Sequence, residues 1–215
     1  MTYPVPTPIY RIIHIGNLPI LLRRRAIHAP NSTPQDGLVY RTIHNAAVQA
    51  NRRAAIVACG SGGTVHDYLP FYFGPLSVML LNLKTGRVPG YNEGQEPLIY
   101  LKSTVQAAVQ ANCEFVFTDG HGLASFTMWY DDLSQLSEVD WPLVNARYWS
   151  DRPEDNDRQR RKQAEFLIHG HCSWSIIEEI GVLNPDVKKR VEETLAEFPG
   201  CHKPNVTVRR DWYYN

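Results

Sequence analysis

The sequence predicts an α+β fold built on largely antiparallel sheets, and three observations carry that reading. Strand-like segments outnumber helical ones, they do not alternate regularly with helices as a doubly wound sheet requires, and apolar segments run from end to end with no long Pro/Gly/Ser linker. One domain over 1–215 is therefore expected. Lys plus Arg equals Asp plus Glu at 22 each, so no global field announces nucleic acid. An anion site has to be a local patch, and the candidates are Arg23-Arg24-Arg25, Arg52-Arg53 and residues 158–162. The Pro-rich start leads into too short an apolar run for a signal peptide, and no apolar stretch approaches membrane-spanning length, which predicts a soluble cytoplasmic protein. Cys59, Cys113, Cys172 and Cys201 are widely spaced with no Cys-x-x-Cys, which points to free thiols in a reducing compartment.

Residues 9–15 are β-rich and end at Gly16, after which Asn17 is placed to cap a short helix over 18–23, with Pro19 in its first turn. Residues 26–38 read as a loop, with Asn31, Ser32, Pro34, Asp36 and Gly37 as turn formers. A helix is predicted over 43–53, with Ile43, Ala46, Ala47 and Ala50 on one face. A strand follows over 66–74, where Pro70 marks an edge or a bulge, while residues 76–83 fit a helical turn or a second strand equally. Strands are predicted over 96–101 and 114–118, with a helix between them running from a Ser103 cap to Ala111. The polar and aromatic region 123–161 carries short helical pieces near 126–130 and 133–139. The chain closes with a strand over 175–183, a helix over 186–198 opened by Pro185, and a strand over 206–213.

The segment around which the chain is organised is 162–169, a short apolar strand with one carboxylate, Glu165, near its start and a loop crowded with charge before it. Glu is depleted in buried strands because isolating a carboxylate from water is costly, so Glu165 needs a partner or a job. The glycine turn 60–64 lacks the endings of a P-loop or a Rossmann turn and reads as a hairpin connection. His169-Gly170-His171-Cys172 and Cys201-His202 match no usual zinc spacing, so no metal is expected. His14 ends a strand before a turn, where it either binds an anion or carboxamide or bonds backbone; Arg52 and Arg53 either act in a site or end a helix in solvent.

Taken together these pieces resemble a known family. Residues 9–19, the block Gly62-Gly63-Thr64-Val65-His66-Asp67-Tyr68-Leu69-Pro70-Phe71-Tyr72-Phe73, residues 115–121 and Gln163-Ala164-Glu165 look like successive signatures of the DarT family, in order and over nearly the whole chain. These are DNA ADP-ribosyltransferase toxins of toxin–antitoxin operons, paired with a macrodomain antitoxin, DarG. The resemblance implies the ADP-ribosyltransferase fold, two packed sheets with NAD in the cleft between them, and transfer of ADP-ribose to a base of single-stranded DNA, thymidine in the branch this sequence looks closer to, blocking replication. It puts Glu165 at the catalytic glutamate position and Arg52 at the catalytic arginine. His14, Ile15 and Gly16 fall at the nicotinamide side, Arg23 and Asn31 at further NAD contacts, and His121 with the segment 119–165 at acceptor recognition. Arg53 follows Arg52 where some relatives have a small residue, which leaves a one-residue register alternative. A monomer needing NAD as co-substrate and no metal is implied.

The chemistry suits these residues. Breaking the nicotinamide–ribose bond builds positive charge on the sugar, which a carboxylate on a rigid strand stabilises more in the transition state than before it. A guanidinium is protonated at all ordinary pH, so Arg52 is read as stabilising the base anion and the NAD diphosphate, with the proton leaving to water or a carboxylate. The acceptor base must be unpaired to present its edge, and Arg147, Tyr148 and His121 are the residues of the long segment kept for holding it. The alternatives are a transferase of the same fold acting on RNA or protein, an NAD glycohydrolase, or a nucleic-acid-binding module whose transferase site has decayed.

Overall fold

A computed structural model describes residues 3–215. Strand β1 (Pro8–His14) buries side chains on both faces, and a 3₁₀ turn (Ile15–Asn17) leads from it into α1 (Leu18–Arg24). Asn17 makes no side-chain cap there, contrary to expectation, because its amide is engaged with the backbone of Arg41 at 2.9 and 2.7 Å. The expected loop over 26–38 contains a short strand, β2 (Ala26–His28), and a 3₁₀ turn (Pro30–Ser32).

Helix α2 (Ala46–Ala54) is capped by Asn45, whose side chain accepts from the N–H groups of Ala47 and Val48. The apolar face predicted for it is not its buried face: Ala46, Ala47 and Ala50 are exposed, and Arg52 is the buried residue. Alanine removes little area from water, so a charge pair described below outweighs it in setting the helix's rotation.

Strand β3 (Tyr68–Tyr72) follows a 3₁₀ turn closed by a Thr64–Asp67 capping box. The ambiguous stretch after it is helical, α3 (Val78–Lys84), with Ser77 as its cap. Strand β4 (Leu98–Thr104) runs past its predicted end, so Thr104 caps α4 (Val105–Gln110) while Ser103 stays in the strand with its hydroxyl on the Ile176 carbonyl at 2.6 Å. Next come β5 (Phe115–Thr118) and β6 (Trp129–Tyr130), the latter a strand where a helical piece was expected, then a 3₁₀ segment (Leu133–Glu138), α5 (Trp141–Val144) and α6 (Arg158–Arg161). Strand β7 (Glu165–His169) is shorter than the predicted 162–169, since Lys162 caps α6 and a turn precedes Glu165; Phe166, Leu167 and Ile168 are fully buried at about 1.5–3 kcal/mol each. The chain ends with β8 (His171–Ser173), β9 (Glu179–Val182), α7 (Pro185–Ala196) and β10 (Asn205–Val208). β10 stops short of its predicted end because a 3₁₀ turn (Arg210–Trp212) folds Trp212 over Gly181, where an added Cβ would lie 2.2 Å from the indole.

Among the described residues ten strands form one eight-stranded sheet, in the order β10-β9-β4-β1-β3-β7-β5-β6, and a two-stranded β2-β8 ribbon. Every pairing is antiparallel except β10 with β9. The expectation of two packed sheets takes a particular form. β1 pairs with β4 over seven residues and β3 with β7 over five, but β1 and β3 meet at one register pair, Tyr10–Tyr72. The large sheet is thus two halves that diverge at this seam, and Pro70, which has no N–H to give, lies at the opening. There the Arg11 side chain donates to the Pro70 carbonyl at 2.8 Å.

Candidate active site

Glu165 opens β7 and is 2% exposed. Its N–H donates to Thr118 Oγ1 at 3.1 Å, and that hydroxyl donates to the Gly120 carbonyl at 2.7 Å, so β5 and the loop after it brace the residue. Both carboxylate oxygens accept from one nitrogen of Arg52, Nη1, at 3.0 and 3.1 Å. Arg52 reaches in from the last turn of α2, while Arg53 beside it is exposed and lines the same cleft without bonding Glu165. Gly122 packs against the carboxylate, where a Cβ would meet Glu165 Oε2 at 3.2 Å and the Trp129 ring at 3.3 Å. A side chain at 122 would crowd the acid.

The pair faces a cleft of about 500 Å³ that opens at the β1/β3 seam, with Arg11, Tyr40, Tyr72 and His121 among its walls. Among the described residues seven buried side-chain N or O atoms lack a hydrogen-bond partner, and four of them belong to residues lining this cleft: Arg11 Nε, His28 Nδ1, Tyr40 Oη and Arg52 Nη2. A buried polar group left unsatisfied costs about 1–3 kcal/mol, so their convergence on one cleft marks a place for a polar ligand. Arg11 adds charge to that argument, because it has no ion-pair partner among the described residues whereas Arg24, Arg41, Arg52, Arg160 and Arg161 each hold a carboxylate. A dinucleotide with a diphosphate bridge fits the donor set.

His14 is bonded to backbone, the second of the two readings made of it from sequence. Its Nδ1 accepts from the Gly16 N–H at 3.0 Å, which leaves the ring proton on Nε2, and Nε2 is buried without a hydrogen bond, 3.6 Å from Glu93. Burial foremost, then the Arg41 charge, lowers its pKa against the pull of Glu93. His14, Ile15 and Gly16 stand beside the cleft rather than in its wall, which their neighbours Ile13 and Asn17 line. Asn31 is exposed with its amide on Asp67 at 2.8 Å, between Pro30 and Thr33 of the wall. Arg23 is exposed and outside the cleft. Arg24 is engaged instead, bonded to Asp36 at 2.8 Å and lying 4.9 Å over the ring of Tyr40, a wall residue.

Of the acceptor residues, His121 lines the cleft with Arg52 and Glu165, whereas Arg147 and Tyr148 lie outside it, Tyr148 being 79% exposed. Trp141 and Trp149 are buried, their N–H groups on the Leu136 carbonyl at 2.8 Å and the Tyr214 hydroxyl at 2.7 Å, and Tyr130 stacks on Phe117. These three belong to the packing. Arg11, Tyr40 and Tyr72 line the cleft without being expected there, whereas Phe126, outside it, is 64% exposed with the Arg160 guanidinium 4.9 Å over its ring. Arg11 had a signal, since it interrupts an apolar strand as Glu165 does. The glycine turn joins the bridge pair Ile56 and Thr64, and among the described residues no group of three His, Cys, Asp or Glu is arranged to hold a metal.

A carboxylate braced on a strand, an arginine gripping it and unpaired donors thus face the cleft of a split antiparallel sheet, and the comparisons with known proteins give the class of protein, an NAD-dependent DNA ADP-ribosyltransferase. A family model described as DarT, ssDNA thymidine ADP-ribosyltransferase, matches residues 10–214, and the chain belongs to this family of enzymes. A DNA ADP-ribosyl transferase of Thermus sp. strain 2.9 is 43% identical over 99% of both chains. The structure of Thermus sp. 2.9 DarT with ADP-ribosylated ssDNA superposes with a TM-score of 0.92 at 42% identity, covering 100% of this chain and 99% of that one. The same protein with NAD+ gives a TM-score of 0.87 at 41% identity, covering 99% of this chain and 100% of that one.

Four of the eight histidines, His14, His28, His66 and His121, have pKa values lowered first by burial. Above the ordinary histidine value near 6.5 they are neutral folded and unfolded alike; below it the unfolded chain takes up protons that the fold refuses, and stability is lost as pH falls. The lowered carboxylates, such as Asp36 and Asp67, lose their contribution only below the ordinary aspartate range. Melting temperature should therefore fall between pH 6.5 and 5, and a flat profile there would contradict neutral imidazoles around the cleft.

Proposed function

We propose that the family's reaction runs at the Arg52–Glu165 pair, with NAD in the cleft and a thymine base of single-stranded DNA entering past His121. The observation that carries this reading is the buried ion pair beside four unpartnered polar atoms. Glu165 stabilises the positive charge that grows on the ribose as its bond to nicotinamide breaks, the bonding electrons leaving with the ring. The free Nη2 of Arg52 is available for the anion that develops on the thymine imide nitrogen as it loses its proton and bonds to the sugar carbon. That proton leaves to water or to a neutral base at the cleft.

Arg11, with no acid to neutralise it, is suited to the NAD diphosphate, and His14 Nε2–H with the backbone at Ile15 and Gly16 to the carboxamide. The Thermus protein's complexes with NAD+ and ADP-ribosylated ssDNA support the same substrates here. The reading also takes 1–215 as one transferase domain with 119–165 as its acceptor-recognition segment. In it the protein is a monomeric toxin of the bacterial cytoplasm, held in check by a macrodomain antitoxin of the DarG type. Among the described residues no helix is long and apolar enough to cross a membrane.

Incubation with labelled NAD and, in parallel, a thymidine-containing single strand, its duplex, RNA and protein tests the acceptor. Label should appear on the single strand alone and vanish with Glu165→Ala; label on RNA or protein in its place would overturn the reading. Arg52→Lys should keep measurable activity with a shifted pH profile, and loss at every pH would count against a purely electrostatic role. Arg11→Met should weaken NAD binding roughly tenfold or more, the worth of a hydrogen bond to a charged group, as read by calorimetry. Unchanged affinity would remove Arg11 from the dinucleotide site.

A further inference from the structure

Lys162 buries a charge that the reaction does not use. It is 3% exposed, stands three residues before Glu165, and donates through Nζ to three carbonyls: Val144 at 2.6 Å, Ala146 at 2.9 Å and Pro75 at 3.1 Å. No carboxylate pairs with it among the described residues, and burial alone lowers its pKa to about 7. Val144 ends α5, so the ammonium takes up carbonyls that a helix end leaves without partners, at the negative end of its dipole. The neighbouring Arg161 bonds Asp140, the residue that caps the other end of α5. Two adjacent residues thus grip one short helix at both ends.

The contact is close on the far side as well. A Cβ on Gly74 would lie 2.1 Å from the Val144 carbonyl oxygen, so the backbone after β3 touches the end of α5 with no side chain between. Three carbonyls converging in a dry interior repel one another unless a cation stands among them. Arg147 and Tyr148 follow directly on Ala146, and Glu165 follows three residues after Lys162.

We propose that Lys162 is a positioning residue for the acceptor: its ammonium clamps the backbone of 144–146 to the root of the catalytic strand and so sets where Arg147 and Tyr148 stand relative to Glu165. NAD binding does not pass through this clamp, because none of Lys162, Val144 and Ala146 lines the cleft. The inference rests on the proposed reaction with single-stranded DNA.

The test compares wild type with Lys162→Met, which keeps the length of the side chain without its donors. Expected is a KM for a thymidine-containing oligonucleotide raised at least tenfold, with NAD affinity by calorimetry within twofold of wild type and kcat within threefold. An unchanged oligonucleotide KM would overturn the proposal, and so would an equal loss of NAD affinity, which would mean that Lys162 only supports the fold of the strand. Should Lys162→Met not fold, Lys162→Gln, whose shorter and uncharged side chain cannot reach all three carbonyls, carries the same comparison: a raised oligonucleotide KM at unchanged NAD affinity supports the clamp and an unchanged one overturns it. A wild-type protein that binds NAD but leaves the oligonucleotide unlabelled would instead sink the functional reading beneath it.

Discussion

Arg52 holds Glu165 with one terminal nitrogen and keeps the other unbound, and much of the structure follows from that arrangement. Two charges drawn out of water gain from one another only when their geometry is good, and removing either partner of such a buried pair costs about 3–5 kcal/mol because the survivor is left alone. The pair also does for α2 what apolar burial does for most helices. The alanines of α2 face solvent and its one buried side chain is Arg52, so the cap at Asn45 and the ion pair at the far end hold it in place. A helix fastened in this way has its position set by the site it serves.

The seam between β1 and β3 supplies the room. Had those strands paired along their length, the sheet would be continuous and Arg11 would have no gap to point into. They part after Tyr10–Tyr72, a proline sits at the opening, and the space between the halves collects the unpaired donors. Each half stays rigid on its own account, β1 through seven pairs with β4 and β3 through five with β7, so the cleft is open without being loose.

Glu165 was legible in the sequence because a carboxylate in an apolar strand contradicts its surroundings, and the contradiction is visible without coordinates. Arg11 breaks the strand of residues 9–15 in the same way, but it stands alone, apart from the basic clusters that mark an anion patch. What stayed illegible depended on partners distant in the chain. Nothing local distinguishes Asn17 as a cap from Asn17 as a tie to Arg41, and nothing local turns α2 so that its arginine rather than its alanines faces inward. Strand ends erred for a related reason: β4 continues through Thr104 because β1 is there to pair with it, and β10 stops at Val208 because Trp212 has Gly181 to cover. Trp141 and Trp149, in the polar and aromatic region before Glu165, have their N–H groups bonded inside the fold, and only those distant partners show that they are packing.

The charge-rich stretch before Glu165 looked in the sequence like an anion patch, and its bonding indicates another use. Arg160 is held by Asp157 at 2.7 Å and by Asp119 at 2.8 Å, Arg161 by Asp155 and Asp140, and Lys162 by carbonyls. Those charges are engaged within the protein, where they order the segment leading to β7. An enzyme with no net charge that also neutralises its basic cluster internally gains little from counterion release on a polyanion. In the proposed reaction its hold on a single strand comes from fitted contacts, stacking on aromatic faces and hydrogen bonds to an exposed base edge, which a duplex hides. Selectivity for unpaired DNA then follows from how little the protein invests in the phosphate backbone that both forms share.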